Sequence, residues 1–215
     1  MSKGRQTRAA IVEQALAVAS QCGLSALTIG TLAERSGLSK SGLFAHFGSK
    51  EELQLAVVRG MRQLFSDFVF LPALQHSPGL PRLRAIVENW LNWTATAKLP
   101  GGCVMTAAAY EFDDRPGPVK DLISQSLREL RKTLARAAHA AIEAGQLRAD
   151  TDPEQLAFEI CSIYLGAQLD ARLFGDANAW QRALAAFEHL VSRPGTEVIT
   201  VAGAGQSGKR HPRTV

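Results

Sequence analysis

The sequence is poor in cysteine, and its cysteines are not placed for a disulfide framework or a metal site. Cys22, Cys103 and Cys161 lie far apart and form no C-x-x-C pair. An odd number of widely spaced cysteines argues against paired disulfides, so we expect free thiols. The five histidines show neither H-x-x-x-H nor H-x-x-E spacing, and helical zinc sites depend on such spacings. The sequence therefore predicts no metal site and no bound cofactor.

Long apolar runs are also missing. A membrane-spanning helix needs about 18 or more consecutive apolar residues, and the chain contains no such stretch. The N-terminal segment MSKGRQTRAA is charged, and the apolar core of a signal peptide does not follow it. We therefore expect a cytoplasmic protein without membrane contact.

The alternation of polar and apolar residues that is typical of a β-strand is absent before residue 196. Apolar residues recur instead at the spacing of amphipathic helices, and glycine and proline separate these helices. The pattern predicts an all-α fold, with TEVITV at 196–201 as a β-prone exception. The predicted helices cover residues 5–22, 28–36, 39–47, 49–70, 81–97, 103–113, 118–145, 152–174 and 176–192.

Positive charge is concentrated at the two ends of the chain. Residues 1–50 contain six Lys and Arg against two acidic residues, which gives a net charge of +4. Residues 193–215 contain four against one, whereas residues 51–192 contain fourteen against seventeen. A basic N-terminal segment is suited to binding phosphates. We expect 193–215 to be a disordered basic tail.

Residues 28–47 have the spacing of a helix-turn-helix. Thr28 offers a hydroxyl to cap the first helix, Gly37 permits the tight turn, and Ser39 caps the second helix. Short polar or cationic side chains remain on the outer face of the second helix, where they could approach the edges of a DNA groove. These outward residues are Ser39, Lys40, Ser41, Gly42 and His46. Similar turns occur in helical proteins that do not bind DNA, so the spacing alone leaves both interpretations open.

The stretch LTIGTLAERSGLSKSGLFAHFGSKEEL at residues 27–53 resembles the TetR family of transcription regulators. The resemblance implies an all-α protein with a three-helix DNA-binding head at residues 4–64 and a helical-bundle body at 72–192. It also implies a homodimer that binds a palindromic DNA operator in successive major grooves. In such a regulator, a small molecule bound in the ligand-binding and dimerisation body releases repression.

The resemblance also assigns residues to DNA contacts. Thr28 is implied as a phosphate contact at a helix N-terminus, where the dipole favours an anion. Ser39, Lys40, Ser41 and Gly42 fall where the recognition helix meets base edges and backbone. His46 and Lys50 are implied as further phosphate contacts.

Phe44 departs from the family pattern. Family members usually carry tyrosine at this position, and its hydroxyl donates to a phosphate. Phe44 cannot donate, so we expect it to contact DNA by packing only. The N-terminal cations Lys3, Arg5 and Arg8 could supply the missing contact from a mobile arm, or they could be solvated terminal charges.

The helix predicted at 152–174 is apolar on two faces, and both faces must be covered. One stripe comprises Leu156, Ile160, Ile163, Ala167 and Phe174, and the other comprises Phe158, Cys161, Leu165 and Leu169. The core of the chain covers one stripe, and a second copy of the chain would cover the other. Together with the helix at 176–192 this predicts a four-helix dimer interface. A monomer with a larger internal core is the alternative.

Candidate contacts for the small molecule are aromatic, sulfur-containing and polar side chains of the body. They are Trp90, Trp93, Cys103, Met105, Tyr110, Tyr164 and Gln168. Each aromatic residue could equally belong to the core. Cys103 begins a predicted helix, whose dipole would lower the thiol pKa and could make it a redox or electrophile sensor. A small buried residue beside a Gly-Gly turn is the alternative.

An enzyme is the main competing class of function. Glu111, Asp113 and Asp114 form the nearest approach to a catalytic group, at the C-terminal end of a predicted helix. No histidine or further ligand accompanies them, so a solvated helix end is favoured and we predict no catalytic residues. A helix-turn-helix module without DNA binding is a second alternative, which the basic head disfavours.

Overall fold

The computed structural model describes residues 3–192, except the side chains of Lys3 and Arg5. These residues form helices with no β-strand among them, so the all-α prediction is confirmed. The β-prone segment 196–201 and the predicted tail at 193–215 lie outside the described residues. The helices are α1 (Lys3–Cys22), α2 (Ile29–Ser36), α3 (Lys40–Phe47), α4 (Lys50–Phe65), α5 (Leu80–Thr96), α6 (Val104–Glu111), α7 (Pro118–Glu143), α8 (Pro153–Leu173) and α9 (Ala179–Ser192).

Side-chain caps fix the turns of the head. Thr28 Oγ1 accepts a hydrogen bond from the Thr31 N–H at 3.0 Å, and Thr31 Oγ1 accepts from the Thr28 N–H at 2.8 Å. Ser39 Oγ accepts from the Gly42 N–H at 3.1 Å and starts α3. Between these caps, Gly37 has a φ of 71°, a left-handed conformation in which glycine carries no steric penalty. The predicted helix-turn-helix is therefore confirmed.

The N-terminal cations do not form a mobile arm, as one of the predictions supposed. Helix α1 already begins at Lys3, although its buried apolar face extends only from Ile11 to Ala19. The guanidinium of Arg8 lies 5.0 Å from the centre of the Phe47 ring. Arg8 therefore stabilises the packing of α1 on α3 through a cation–π contact.

Helix α4 connects head and body without interruption. It continues past the predicted end at Phe70 through a π-helical segment (Ser66–Phe70) and a last α-helical turn (Leu71–Ala73). Pro72 has no N–H to donate and would clash with a carbonyl in a regular α-helix. The wider π-helical turn directly before it accommodates the ring, so proline does not end the helix here. The gap between the predicted head and body lies within this helix.

The body is built around buried aromatic residues. Trp93, Tyr164 and Phe187 are among its largest fully buried side chains and come from α5, α8 and α9. Helix α8 packs against both α7 and α9. Within the described residues, none of these helices combines the length and apolar character needed to cross a bilayer.

The two predicted stripes on α8 need two corrections. Phe174 is 69% exposed because α8 ends at Leu173, so the following residue leaves the buried face. Cys161 is buried beside Ile160 on the core side. The second face of α8 carries exposed apolar side chains, which we call the α8 stripe. Its residues are Phe158, Leu165, Leu169 and Leu173.

Candidate DNA-binding surface and body cavity

One side of α3 is exposed and carries the residues predicted to meet base edges and the DNA backbone. Lys40, Ser41 and Gly42 are exposed on this side, together with Ser39 at the N-cap. The opposite side is fixed to the head by buried Leu43 and Phe47. Because the outward side chains are small or cationic, this face of the helix can approach a groove closely.

The predicted phosphate contacts surround this face. Thr28 is half-buried at the N-terminus of α2. Lys50 is exposed, and its Nζ donates to the Ser25 carbonyl oxygen at 2.6 Å. An ammonium group has three N–H donors, so two remain for a phosphate. His46 is half-buried, with its ring 6.4 Å from that of Phe47.

Phe44 projects from α3 with 59% of its surface exposed. An exposed large aromatic side chain on a small head is a candidate contact surface, because the head itself gains little from it. The packing contact with DNA expected for Phe44 stays a prediction.

The body contains a cavity of about 260 Å³ between α4, α5, α6 and α7. Four aromatic residues of α4, its π-helical extension and α5 form one part of its wall. The ring of Phe65 lies edge-on to those of Trp90 and Trp93, at centroid distances of 6.0 and 5.2 Å, and to that of Phe70 at 5.3 Å. The lining residues are Met61, Arg62, Phe65, Ser66, Phe70, Trp90, Trp93, Cys103, Met105, Thr106, Ser126, Leu127, Glu129, Leu130 and Thr133.

Four of the seven predicted ligand contacts line this cavity: Trp90, Trp93, Cys103 and Met105. Tyr110 does not, because it lies near the other end of α6 and is 66% exposed. The remaining two predicted contacts, on α8, are also outside the lining.

Tyr164 and Gln168 lie behind the cavity wall. The Tyr164 ring stacks on Trp90 at 4.3 Å, and its hydroxyl accepts a hydrogen bond from Trp93 Nε1 at 3.3 Å. Gln168 lies beside Gly102, and its buried Oε1 has no hydrogen-bond partner among the described residues. Tyr164 therefore fixes the position of the two tryptophans that do line the cavity.

Sequence reasoning missed the contributions of α4 and α7 to the cavity. The π-helical segment places Ser66 and Phe70 in the lining. Arg62 of α4 and Glu129 of α7 form an ion pair there. The hint in the sequence was the apolar face of α4, which continues beyond the part of the helix that packs in the head.

The structure contradicts the prediction that the helix dipole lowers the pKa of Cys103. Cys103 is 6% exposed, and burial raises the pKa of its thiol. A hydrogen bond with Thr106 opposes this shift without cancelling it. Desolvation of the thiolate therefore has a larger effect on the pKa of Cys103 than the helix dipole has.

Glu111 is not part of a solvated helix end. Its Oε2 accepts a hydrogen bond from the backbone N–H of Ser25, in the loop between α1 and α2. The loop before α6 also contacts the head, because the Gly101 N–H donates to Ser20 Oγ at 3.1 Å. A Cβ at Gly101 would overlap the Ser20 carbonyl, so only glycine permits this approach. The body thus contacts the head directly as well as through α4.

A second, wider space of about 700 Å³ is a groove between α1 and α4. Charged side chains of both signs line it, including Arg8, Glu13, Arg59 and Asp67. The body cavity is the better candidate for a small molecule, because aromatic and aliphatic side chains line it together with hydroxyl groups and one ion pair.

A helix-turn-helix head joined by one helix to a helical body with a cavity is the architecture of a DNA-binding transcription regulator. The sequence profile described as "Bacterial regulatory proteins, tetR family" matches residues 11–57. The profile described as "Tetracyclin repressor-like, C-terminal domain" matches residues 79–187, half of the chain. The chain belongs to the TetR family, as the resemblance of its head predicted. It is a DNA-binding transcriptional regulator and not an enzyme.

Solved structures of similar fold agree with this assignment. A TetR transcriptional regulator from Chloroflexus aurantiacus is 25% identical, with a TM-score of 0.81 over 90% of this chain and 98% of that chain. A TetR-family regulator from Cytophaga hutchinsonii is 21% identical, with a TM-score of 0.77 over 89% and 96%. AibR, in complex with isovaleryl coenzyme A and operator DNA, is 20% identical, with a TM-score of 0.66 over 86% and 97%. No curated protein matches the sequence significantly.

Proposed function

We propose that this regulator is a repressor that binds a palindromic operator as a homodimer and is released by a small molecule. Helix α4 carries the proposal. It begins at Lys50, beside the recognition helix, and its residues Met61, Arg62 and Phe65 line the body cavity. A ligand that fills the cavity therefore presses on the same rigid element that positions the head.

The operator would be contacted by the exposed side of α3 and its surroundings. Two recognition helices of a dimer must match successive major grooves, about 34–36 Å apart. A small rotation of α4 changes this separation and lowers the affinity of the dimer for DNA. The proposed contacts are Thr28, Ser39, Lys40, Ser41, Gly42, Phe44, His46 and Lys50.

The α8 stripe supports the homodimer. Leu169 and Leu173 are 51% and 69% exposed, and an apolar row of this kind on a long helix is costly in water. A second copy would cover it by a two-fold arrangement in which α8 and α9 of both chains form a four-helix bundle. The α8 stripe would then lie on the two-fold axis and pack against the α8 stripe of the second copy.

The cavity supports a small-molecule effector. AibR, which has a similar fold, has been solved in complex with isovaleryl coenzyme A and operator DNA. A protein of this fold can therefore bind both a ligand and DNA. The proposed contacts in this chain are the cavity-lining residues. Cys103 belongs to this wall, and the raised pKa of its buried thiol argues against the alternative of a thiol-based sensor.

Selection of duplexes from a random DNA pool by the purified full chain tests DNA binding without assuming an operator sequence. We expect enrichment of an inverted repeat with half-sites one helical turn or a multiple of it apart. Fluorescence anisotropy on the selected duplex should then show affinity that falls steeply with salt. Failure to enrich any sequence, together with salt-independent binding, would contradict the proposal.

A further inference from the structure

The charged groups of the body cavity are a pair contributed by two different helices. Arg62 on α4 and Glu129 on α7 bond to each other, and they are the only charged residues among the described residues that line the cavity. Their side chains are 36% and 46% exposed. An ion pair with this much solvent contact is weak, so a competing charged group can replace either partner.

The hydroxyl groups of α7 in the cavity are already engaged by their own helix. Ser126 Oγ donates to the Leu122 carbonyl at 2.5 Å, and Thr133 Oγ1 donates to the Glu129 carbonyl at 2.8 Å. Arg62 is therefore the strongest hydrogen-bond donor that a ligand could recruit. Its planar guanidinium matches the geometry of a carboxylate.

Arg62 and Glu129 differ in the interaction partners that remain to each of them when the ion pair is broken. Glu129 also accepts a hydrogen bond from Gln125 Nε2 at 2.9 Å, and exposed Lys132 follows three residues later on the same helix. Arg62 has no second hydrogen-bond partner among the described residues. An anion that takes Arg62 leaves Glu129 partnered, whereas a cation that takes Glu129 leaves Arg62 without a partner. The arrangement favours an anionic ligand.

The size and walls of the cavity limit the rest of the ligand. Its volume of about 260 Å³ lies below the range of about 300–1,000 Å³ for sites of drug-sized molecules. It exceeds the roughly 150 Å³ of an apolar cavity that accepts benzene. Phe65, Trp90 and Trp93 line it, and Phe65 packs edge-on against both tryptophans; aromatic side chains suit contacts with the ring of a ligand.

We infer that the effector is a small aromatic carboxylate whose acid group replaces Glu129 on Arg62. The ring would then lie against Phe65, Trp90 and Trp93. The exchange removes one of the contacts that hold α4, the helix that positions the head, against α7. The inference rests on the proposed function, because it assumes that this cavity is the effector site.

Three probes that share a naphthalene ring and differ in charge test the inference by calorimetric titration of the full chain. They are 2-naphthoate, neutral 2-naphthamide and cationic 2-naphthylmethylamine. We expect 2-naphthoate to bind at least tenfold more tightly than the amide, and the amine to bind most weakly. Glu129→Gln should tighten 2-naphthoate severalfold by removing its competitor, with little effect on the amide.

Arg62→Met should abolish the preference for 2-naphthoate over the amide. Arg59→Met, which removes an exposed cation of the same helix that faces the groove beside α1, should retain the preference. Equal affinity for acid and amide in the unmodified chain, or preference for the amine, overturns the inference.

Release of the selected operator duplex by each probe separates this inference from the proposed function. If the amide releases the operator duplex as readily as 2-naphthoate does, the inference of an anionic effector is overturned. Ligand-released repression would still hold. If 2-naphthoate binds tightly but does not release the operator duplex, the result supports an anionic ligand at Arg62 and overturns ligand-released repression. If no probe binds, the aromatic carboxylate class is overturned and ligand-released repression is unaffected.

Discussion

The carboxylate of Glu111 accepts a hydrogen bond from the backbone N–H of Ser25 at 2.6 Å, and this bond joins α6 to the loop between α1 and α2. The carbonyl of Ser25 accepts from Lys50, and that of Leu24 accepts from Gln54 at 2.8 Å. One loop of the head is thus held by α4 and by α6. Both helices also line the body cavity. We therefore expect a movement of either helix to be transmitted to this loop.

Replacing Glu111 with alanine should weaken the junction. The Ser25 N–H is partly buried and would lose its partner, which typically costs about 1–3 kcal/mol for a buried donor. We expect a decrease toward the lower end of that range in the free energy of unfolding, measured with urea. Asp114→Ala, which removes an exposed acid just beyond the same helix, should have little effect. Equal losses in the two variants would argue against a specific role for Glu111.

Lys40→Ala should weaken binding to the operator and to unrelated duplexes by similar factors. If Lys40 contacts a phosphate, each head releases about one counterion fewer, and the slope of log K against log salt falls by about 0.9 per head. Anisotropy titrations between low and moderate salt measure this slope. Lys132→Ala, an exposed cation of the body, provides the control. An unchanged slope for Lys40→Ala would show that Lys40 does not contact a phosphate.

Phe44→Tyr should strengthen operator binding. Phe44 is 59% exposed, so the added hydroxyl is accommodated without repacking and can donate to a phosphate. The expected gain is about 0.5–1.5 kcal/mol per head, the usual value of a hydrogen bond. Phe44→Leu, which offers no donor, should show no gain. Weaker binding by the tyrosine variant would indicate that this ring does not face the backbone of DNA.

Leu169→Glu should dissociate the proposed dimer. The substitution would place two like charges close to the symmetry axis of an apolar interface, where a charge without a partner is expensive. Analytical ultracentrifugation should report a monomer, and operator affinity should fall together with dimerisation. Leu74→Glu makes the same chemical change at an equally exposed leucine, 54% against 51%, outside the α8 stripe. A dimer that survives Leu169→Glu would contradict the assignment of this face.

The protein should lose stability in alkaline solution. Burial raises the pKa of the Cys103 and Cys161 thiols and of the Tyr164 hydroxyl. The unfolded chain therefore releases these protons at lower pH than the folded chain. The contribution to stability is complete below about pH 8.5, the pKa of an unburied thiol, and falls as pH rises further. Urea unfolding between pH 7 and 10 should show this decline, and Cys103→Ser should reduce it.

Helix positions could be predicted from the sequence because caps and glycines mark them locally. Thr28, Ser39 and Gly37 each act through the backbone within a few residues, so no tertiary information was needed. Pro72 misled the prediction because a π-helical turn, which has no simple sequence pattern, accommodates it. Phe174 was assigned to the wrong face because periodicity cannot show that the helix ends one residue earlier.

The cavity was less predictable than the head. Trp90 and Trp93 were identified as aromatic residues on a helical face, and Tyr164 was grouped with them although it packs behind them. Whether an aromatic side chain lines a cavity or fills the core depends on the spacing between helices, which single-helix patterns do not contain. The Arg62–Glu129 pair joins residues 67 positions apart, so only the tertiary fold brings them together.

The α8 stripe has a genetic consequence. It lies far along the chain from the recognition helix, so if it forms the proposed dimer interface, a chain with a disabled α3 would still pair with an intact one. In a cell that produces both versions in equal amounts, half of the intact chains of the proposed dimer would be bound to defective partners and would present one working head to a two-part operator. Mutations in α3 are therefore expected to be dominant over the wild-type gene, whereas mutations that disrupt the α8 stripe are expected to be recessive.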